Sequence, residues 1–591
     1  MRRYLAVCAL IFLFVPAAAA QTPAPTPTLD PSAPSLTLHV ATRMVTVEVV
    51  ARDHKGRPAT GLTASDFEVF DQVSGFHKEK RQQKIAAFRA MGIMDFASRN
   101  GDALQVPPGV YTNLVTMQKN PVPPTMILVD GLNTDITAQM QVHAQMVRML
   151  NSLPDDVPVA IFLLGRRLRM LQSFTTDPKL LKAALQKAST VETNGLRQLD
   201  PRDDPDSLSA FQEETAANSP GPAGNNASAT STLQRFEQET YVFAMDIRVR
   251  ETIEALRSIA LHVAGYPGRK NLLWISSSFP IAINPEIDSF NTFRDYGSQM
   301  EDLANTLGES KIAVYPIDPG GLQTFSSLQA SRRTRAGFGG GSADAISRES
   351  QMRVNSQATM EILAGDTGGQ ICTDNNDLSY CVKRAVNDSS AFYEIAYYPD
   401  AAEWHGEFHK IILKTKQSGL HLAYRQGYFA RRDGGDSSDP KIANAQLQQA
   451  ACDDFLTATS LTLAVRILQP DSPEKVKYWV VVDPDTISFP DAGENARGLN
   501  LMVAACTFDK SGKPLQLMKE PIERKLTDHE YKTLLAQHFV PHTFIISPGS
   551  NAAMIRVLVK DNSSGRLGSV NIPYPAPAAV AAAATSQSNS Q

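Results

Sequence analysis

The sequence predicts an α/β protein: a doubly wound, mostly parallel sheet flanked by β-sandwich-like domains. Three observations carry this. Residues 125–377 alternate apolar runs with stretches of helical period, residues 36–90 and 391–430 hold alternating strands, and short strands with turn signals fill residues 446–575. Alternation of strand and helix implies a parallel sheet covered on both faces, whereas serial short strands imply sandwiches. A chain of 591 residues exceeds one hydrophobic core, so several domains are expected.

The first twenty residues carry Arg2 and Arg3, an apolar run from Leu5 to Val15 and Ala18-Ala19-Ala20 before Gln21, the pattern of an export signal. Cys8 lies inside that run and Val7 precedes it, so a lipid-attachment box is not indicated. Residues 21–35 are rich in Pro, Thr and Ala and read as an extended linker. Val45, Val47 and Val49 alternate with polar residues, and Asp53-His54-Lys55-Gly56 supplies turn chemistry before the apolar stretch from Phe67 to Phe70. These strands are too few to bury a core alone. Residues 36–90 are therefore expected to pair with residues 391–430 in one sandwich, with the α/β segment of residues 91–390 inserted between them.

Met126-Ile127-Leu128-Val129 is a buried strand ending at Asp130-Gly131-Leu132-Asn133-Thr134, and a helix is expected from Asp135 to Ser152. The turn places a carboxylate and a hydroxyl where open α/β sheets bind ligands. Val159 to Leu164, Leu272 to Ile275 and Ile312 to Ile317 read as further strands. Helices are expected through Leu185, along Val249 to Val263, around Met300 to Leu307, and from Gln357 to Ala364. Two polar, Gly-rich insertions near residues 198–232 and 320–347 read as disordered. Gly339-Gly340-Gly341 lacks the strand, helix and Gly-Lys-Ser/Thr of a phosphate cradle. Beyond the sheet, Phe392 to Tyr398, Phe408 to Leu413 and Leu420 to Tyr428 are strands, residues 446–575 a second sandwich, and residues 576–591 a disordered tail.

Composition excludes some functions. A formal net charge of −4 and a pI near 6.3 give no drive toward nucleic acid. No later segment is long and apolar enough to span a membrane. Beyond the leader, Cys372, Cys381, Cys452 and Cys506 make an even set suited to an oxidising compartment. Cys372 with Cys381 is the favoured disulfide; Cys452 with Cys506 is the second pairing considered. Together these imply an exported protein, periplasmic or secreted. His405 and His409 read as surface or hairpin histidines, and the aromatic residues around Tyr393, Tyr397 and Tyr428 as sheet core. Gly365-Asp366-Thr367-Gly368-Gly369 ends a helix and is not a protease nucleophile loop.

Residues 125–377 resemble a von Willebrand factor type A domain. The likeness rests on the strand ending in Asp130, on Phe174-Thr175-Thr176-Asp177-Pro178, and on Ile362 to Gln370 with its Thr-Gly-Gly turn. Gly61-Leu62-Thr63-Ala64-Ser65-Asp66-Phe67, Tyr397-Tyr398-Pro399 and Tyr424-Arg425-Gln426-Gly427-Tyr428 extend it toward the von Willebrand type A-related proteins of acidobacteria. The resemblance implies a metal-ion-dependent adhesion site, where a partner's carboxylate completes the shell of a divalent cation. Such a hard cation wants oxygen ligands. Asp130 matches the first position of the Asp-x-Ser-x-Ser loop and Thr134 the fifth, but Leu132 replaces the middle serine. Asn133, Thr193 and Ser277 are the remaining candidate ligands for Mg²⁺ or Mn²⁺, and no carboxylate stands on the third loop.

Two readings of the turn remain: a degenerate cation site, or a carboxylate and hydroxyl that cap the next helix. No paired carboxylates, nucleophile–base set or strong metal cluster is present, so the chain is expected not to be an enzyme. The expected function is protein–protein binding or adhesion, with an envelope scaffold carrying a vestigial metal site as the alternative and an exported hydrolase ranked below both.

Overall fold

The computed structural model describes residues 44–575 apart from 74–79, 93–106, 108, 115–122, 135–145, 147, 151–152, 155, 166, 189–223, 267, 277–278, 280–295, 319–356, 374–377, 400–406, 431–439, 454–455, 469–474 and 494–495. The leader, the linker, the second insertion and the terminal tail lie outside the described residues.

In chain order the strands begin with β1 (Val45–Arg52), β2 (Phe67–Val73), β3 (Lys80–Gln83), β4 (Ile85–Gly92) and β5 (Val110–Thr112). The α/β segment follows with β6 (Thr125–Asp130), β7 (Val159–Leu164), β8 (Leu168–Thr175), α1 (Pro178–Ala188), α2 (Gly224–Val263), β9 (Lys270–Ile275), α3 (Gly297–Glu309), β10 (Ile312–Ile317), helical residues 357–367 and α4 (Leu378–Ser390). Next come β11 (Ala391–Tyr397), β12 (Glu407–Thr415), β13 (His421–Ala423) and β14 (Gly427–Ala430). The last part holds α5 (Pro440–Gln448), β15 (Leu463–Ile467), β16 (Val476–Val482), β17 (Ala496–Phe508), β18 (Pro514–Thr527), α6 (Asp528–Gln537), β19 (Val540–Ile546), β20 (Met554–Asp561) and β21 (Leu567–Pro573).

The α/β segment builds a five-stranded mixed sheet, β10-β9-β6-β7-β8, in which only the edge strand β8 is antiparallel. Successive residues of β6 point to opposite faces. Met126 and Leu128 pack with α2 and α3, while Ile127 packs with α1 and α4. That is why β6 reads as an unbroken apolar run: both of its faces are covered.

Strands from either side of this segment pair with each other. One sheet runs β13-β1-β11-β4 and the other β14-β12-β2-β3. Their shared core holds Val47, Val49, Phe67, Val69, Tyr393, Ile395, Tyr397, Ile411 and Tyr428. Inside it lies a polar centre. Asp71 Oδ1 meets His409 Nδ1 at 2.7 Å, and Asp71 Oδ2 accepts from the phenols of Tyr397 at 3.0 Å and Tyr428 at 2.8 Å. Burial pushes both phenols upward, so they remain protonated donors. His409, expected at the surface, is thus a core residue at 3% exposure, because the Asp71 carboxylate gives its ring a partner inside; His405 lies outside the described residues.

Three further expectations need correction. Leu420 to Tyr428 is not one strand: Tyr424-Arg425-Gln426 forms a corner, and β13 and β14 enter different sheets. Gln426 O accepts from Ile411 N at 2.8 Å and Arg425 Nη2 donates to Thr46 O at 2.7 Å, so the corner itself is bonded to both sheets. Residues 224–232, expected in a disordered insertion, belong to α2, which runs 40 residues. Helix elongation from an established turn adds one hydrogen bond per residue, which sustains weak helix formers.

Residues 110–112, assigned from sequence to the α/β segment, belong to the C-terminal sandwich. Its sheets are β19-β16-β15-β5 and β18-β17-β20-β21 around an aliphatic core. Asn113 holds β5 in place: Nδ2 donates to Ala458 O and Leu461 O, each at 2.7 Å, and Oδ1 accepts from Leu463 N at 2.8 Å. A three-residue strand carries no sequence signal for a partner this remote. α6, also absent from the sequence reading, starts with a capping box in which Thr527 and Glu530 bond each other's backbone N–H groups. Cys452 is joined to Cys506 across the outer side of this sandwich, and Cys372 to Cys381 in the α/β unit.

Candidate functional site

The turn after β6 is closed. Asp130 is 0% exposed, Asn133 4% and Thr134 2%. The parallel register sets Val129 beside Ile275 and Leu128 beside Trp274, which brings the end of β9 to the Asp130 carboxylate. Oδ1 accepts the backbone N–H groups of Leu132 at 3.1 Å and Asn133 at 2.9 Å, an Asx-type turn. Oδ2 accepts from Asn133 Nδ2 at 2.9 Å, Trp274 Nε1 at 3.1 Å and Ser276 Oγ at 2.8 Å. Burial pushes the Asp130 carboxyl upward, against the pull of these hydrogen bonds.

A second layer comes from α2. Asn133 Nδ2 also donates to Thr252 Oγ1 at 2.8 Å, and Asn133 Oδ1 accepts from Arg248 Nε at 3.3 Å. Thr252 Oγ1 in turn donates to Arg248 O. Further along the same helix, Asp246 accepts from Tyr296 and pairs with Arg250. Of the residues expected from sequence, Asp130, Asn133 and Thr134 lie together in this turn; Thr193 and Ser277 lie outside the described residues. Trp274, Arg248 and Thr252 were missed, and Ser276 stands next to the expected Ser277. Arg248 and Thr252 had a signal: they fall among Met245, Val249, Ile253 and Leu256 on the buried stripe of α2, and a charge on such a stripe calls for a partner.

The described part of the donor set, around Asp130 and Asn133, does not fit a divalent cation. Such an ion needs several oxygens with free lone pairs, yet both oxygens of Asp130 face N–H or O–H donors, and Asn133 turns its nitrogen toward Asp130. Leu132 contributes only a backbone N–H, and the Arg248 guanidinium already stands against Asn133 Oδ1. Among the described residues no group of three or more His, Cys, Asp or Glu is placed to hold a metal.

The remaining motifs meet elsewhere, where the α/β unit abuts the N-terminal sandwich. Gly368 has φ 75°, and a Cβ on Gly369 would lie 1.9 Å from Val314 O, so only glycine lets this turn lie against β10. Arg425 and Gln426 rest on the same turn: Gln426 N donates to Gly365 O at 3.3 Å, and Arg269 Nη2 donates to Gly368 O at 2.6 Å. Arg52 and Tyr315 converge on Asp388, at 2.7 Å through Arg52 Nε and 2.8 Å through the phenol. The C-terminal sandwich is bonded as firmly, since Thr459 N donates to Leu261 O at 2.9 Å and Thr459 Oγ1 accepts from Gly265 N at 2.9 Å. On the same edge strand β10, Cys372 bridges Ile317 in parallel, and its disulfide ties that bridge to α4.

No family model matches the chain, and no curated protein does. Solved structures give distant likenesses. An aerotolerance-related membrane protein from Bacteroides fragilis aligns at 11% identity over 45% of this chain and 98% of its own, with TM-score 0.23. Proximal thread matrix protein 1 from the mussel byssus aligns at 7% identity over 46% of this chain and 48% of its own, with TM-score 0.21. A pilus adhesin from Lactobacillus rhamnosus GG aligns at 9% identity over 82% of this chain and 60% of its own, with TM-score 0.22. At these TM-scores none of the three bears on fold or function. Among the described residues no helix is long and apolar enough to cross a membrane.

Proposed function

We propose that this chain is an exported, non-enzymatic protein of the cell envelope that acts through protein–protein contact as a rigid scaffold, and that its Asp130 turn is structural. In this reading the five-stranded sheet is a doubly wound von Willebrand type A sheet whose adhesion site has become an internal hydrogen-bond hub. One observation carries it: the Asp130 carboxylate is wholly enclosed and bonded on both oxygens by protein donors. Further support comes from the Thr-Gly-Gly turn and the Tyr424 to Tyr428 motif, which are engaged in docking one unit on another. The paired cysteines suit an oxidising compartment.

The test is thermal unfolding of the purified protein in Mg²⁺, Mn²⁺ or chelator. A ligand that binds only the folded state raises its stability, by about 2.7 kcal/mol at a hundredfold excess over Kd. The scaffold reading expects no displacement of the midpoint by either cation. A cation-dependent rise that disappears in Asp130→Ala would restore metal-mediated adhesion, and turnover of general ester or peptide substrates would restore a hydrolase.

A further inference from the structure

The seam between the α/β unit and the N-terminal sandwich contains buried charges that neither the core nor the Asp130 turn explains. Glu48 on β1 stands directly opposite Glu394 on β11, and Glu394 opposite Arg89 on β4. Like charges in directly opposed positions repel. Lys311, in the turn between α3 and β10, reaches across to both carboxylates: it pairs with Glu394, and its Nζ lies 3.7 Å from Glu48 Oε1. Arg89 approaches Glu394 to 3.8 Å. Lys311 holds φ 56°, a left-handed conformation that a non-glycine side chain keeps only when its surroundings impose it.

Lys270 heads β9 beside this group, paired in register with Ile312. It is 1% exposed, and its Nζ donates to Ser310 O at 2.7 Å. Glu48 Oε1 is buried with no hydrogen-bond partner among the described residues. Lys311 and Arg89 already balance Glu48 and Glu394, and Arg269 adds a further positive charge toward Glu48, so a proton on the buried Lys270 leaves the group with surplus positive charge. Elsewhere in the seam Asp388 takes Arg52 and Tyr315, while Arg269 donates to Tyr315 and Gly368 O and lies within electrostatic reach of both Asp388 and Glu48.

We propose that this seam is a protonation switch, in which Lys270 gains a proton on acidification and the contact between the α/β unit and the N-terminal sandwich loosens. Burial holds the Lys270 ammonium far below its ordinary 10.5, at about 7; Lys311 pushes the same way and Glu48 opposes. The unfolded chain therefore binds this proton more tightly than the folded one. Stability falls as pH drops from about 10.5 toward about 7, and the loss is complete below that.

The experiment is chemical unfolding of the full chain at a series of pH values from about 6 to about 9, with hydrogen exchange locating the loosened amides. Wild type should lose stability steadily as pH falls from about 9, in a step that ends near pH 7, with exchange rising in β1, β9 and β10. Lys270→Met should abolish the step. Glu48→Gln should move it lower by about one unit and Lys311→Met higher by about the same, because each removes a charge of opposite sign. Persistence of the step in Lys270→Met, or a Lys311→Met step that fails to move upward, overturns the proposal. The Lys311→Met result decides the matter alone where Glu48→Gln fails to fold.

Discussion

In the α/β unit, Asp130 draws its donors from its own turn and from the neighbouring strand β9. In the N-terminal sandwich, Asp71 on β2 draws its donors from β11, β12 and β14, more than 320 residues away in sequence. Both carboxylates are sealed from water, at 0% and 5% exposure. The first fixes one turn to the edge of one sheet. The second is a rivet through two sheets, and it forms only after the α/β unit between its partners has been threaded through. A buried carboxylate is therefore not a sign of a binding site by itself; where its donors come from shows what it holds together.

Asp130→Ala leaves backbone N–H groups, Trp274 Nε1 and Ser276 Oγ without their acceptor in a closed site, and is expected to destabilise by about 3–5 kcal/mol in denaturant unfolding. Asp71→Ala should cost about 2–4 kcal/mol, because two phenols and an imidazole lose their shared acceptor while Tyr428 and His409 keep their bond to each other. A larger loss for Asp71 than for Asp130 would reverse the ranking. Tyr397→Phe keeps the ring and removes one bond to a charged acceptor, so about 1.5–2 kcal/mol is expected, lost from the sandwich and detectable there by hydrogen exchange.

Asp366 sharpens the contrast, since it is a carboxylate with no hub around it. Burial raises it to about 6, with Glu301 adding repulsion. Folding then favours its protonated form, so stability falls as pH rises from 3.8 to about 6, and the penalty is full above that. Asp366→Asn should stabilise the protein at neutral pH by about 1–2 kcal/mol after allowance for solvent screening, and leave stability unchanged in acid below the ordinary carboxylate range.

Features set by neighbours in sequence were legible. The β6 run, the Asp130 turn, the stripe on α2 and the Thr-Gly-Gly turn each follow from local pattern. The same holds for the hairpin loop at Asp53, whose Oδ1 accepts from Lys55 N and Arg57 N; Asp509 repeats it with Ser511 N and Lys513 N. What the sequence could not yield depends on distant partners. Arg425 turns a corner because Thr46 O accepts from it. His409 is buried because Asp71 lies across the sandwich. At Asp130 the loop itself foretold the bonds from Leu132 and Asn133, whereas Trp274 and Ser276 reach the carboxylate from β9 and its end, and Thr252 and Arg248 reach Asn133 from α2, where nothing in the loop points.

The strand at residues 110–112 has its own consequence for biosynthesis. Thr112 bonds Leu463 across 351 residues of chain. At roughly 5–20 residues per second, its partner emerges from the ribosome roughly 20–70 s later. Through that interval Val110-Tyr111-Thr112 has no β15 to pair with, and at three residues it is too short an edge to template another chain's strand. The second sandwich is thus sealed last, when β15 reaches a strand made before the whole α/β segment.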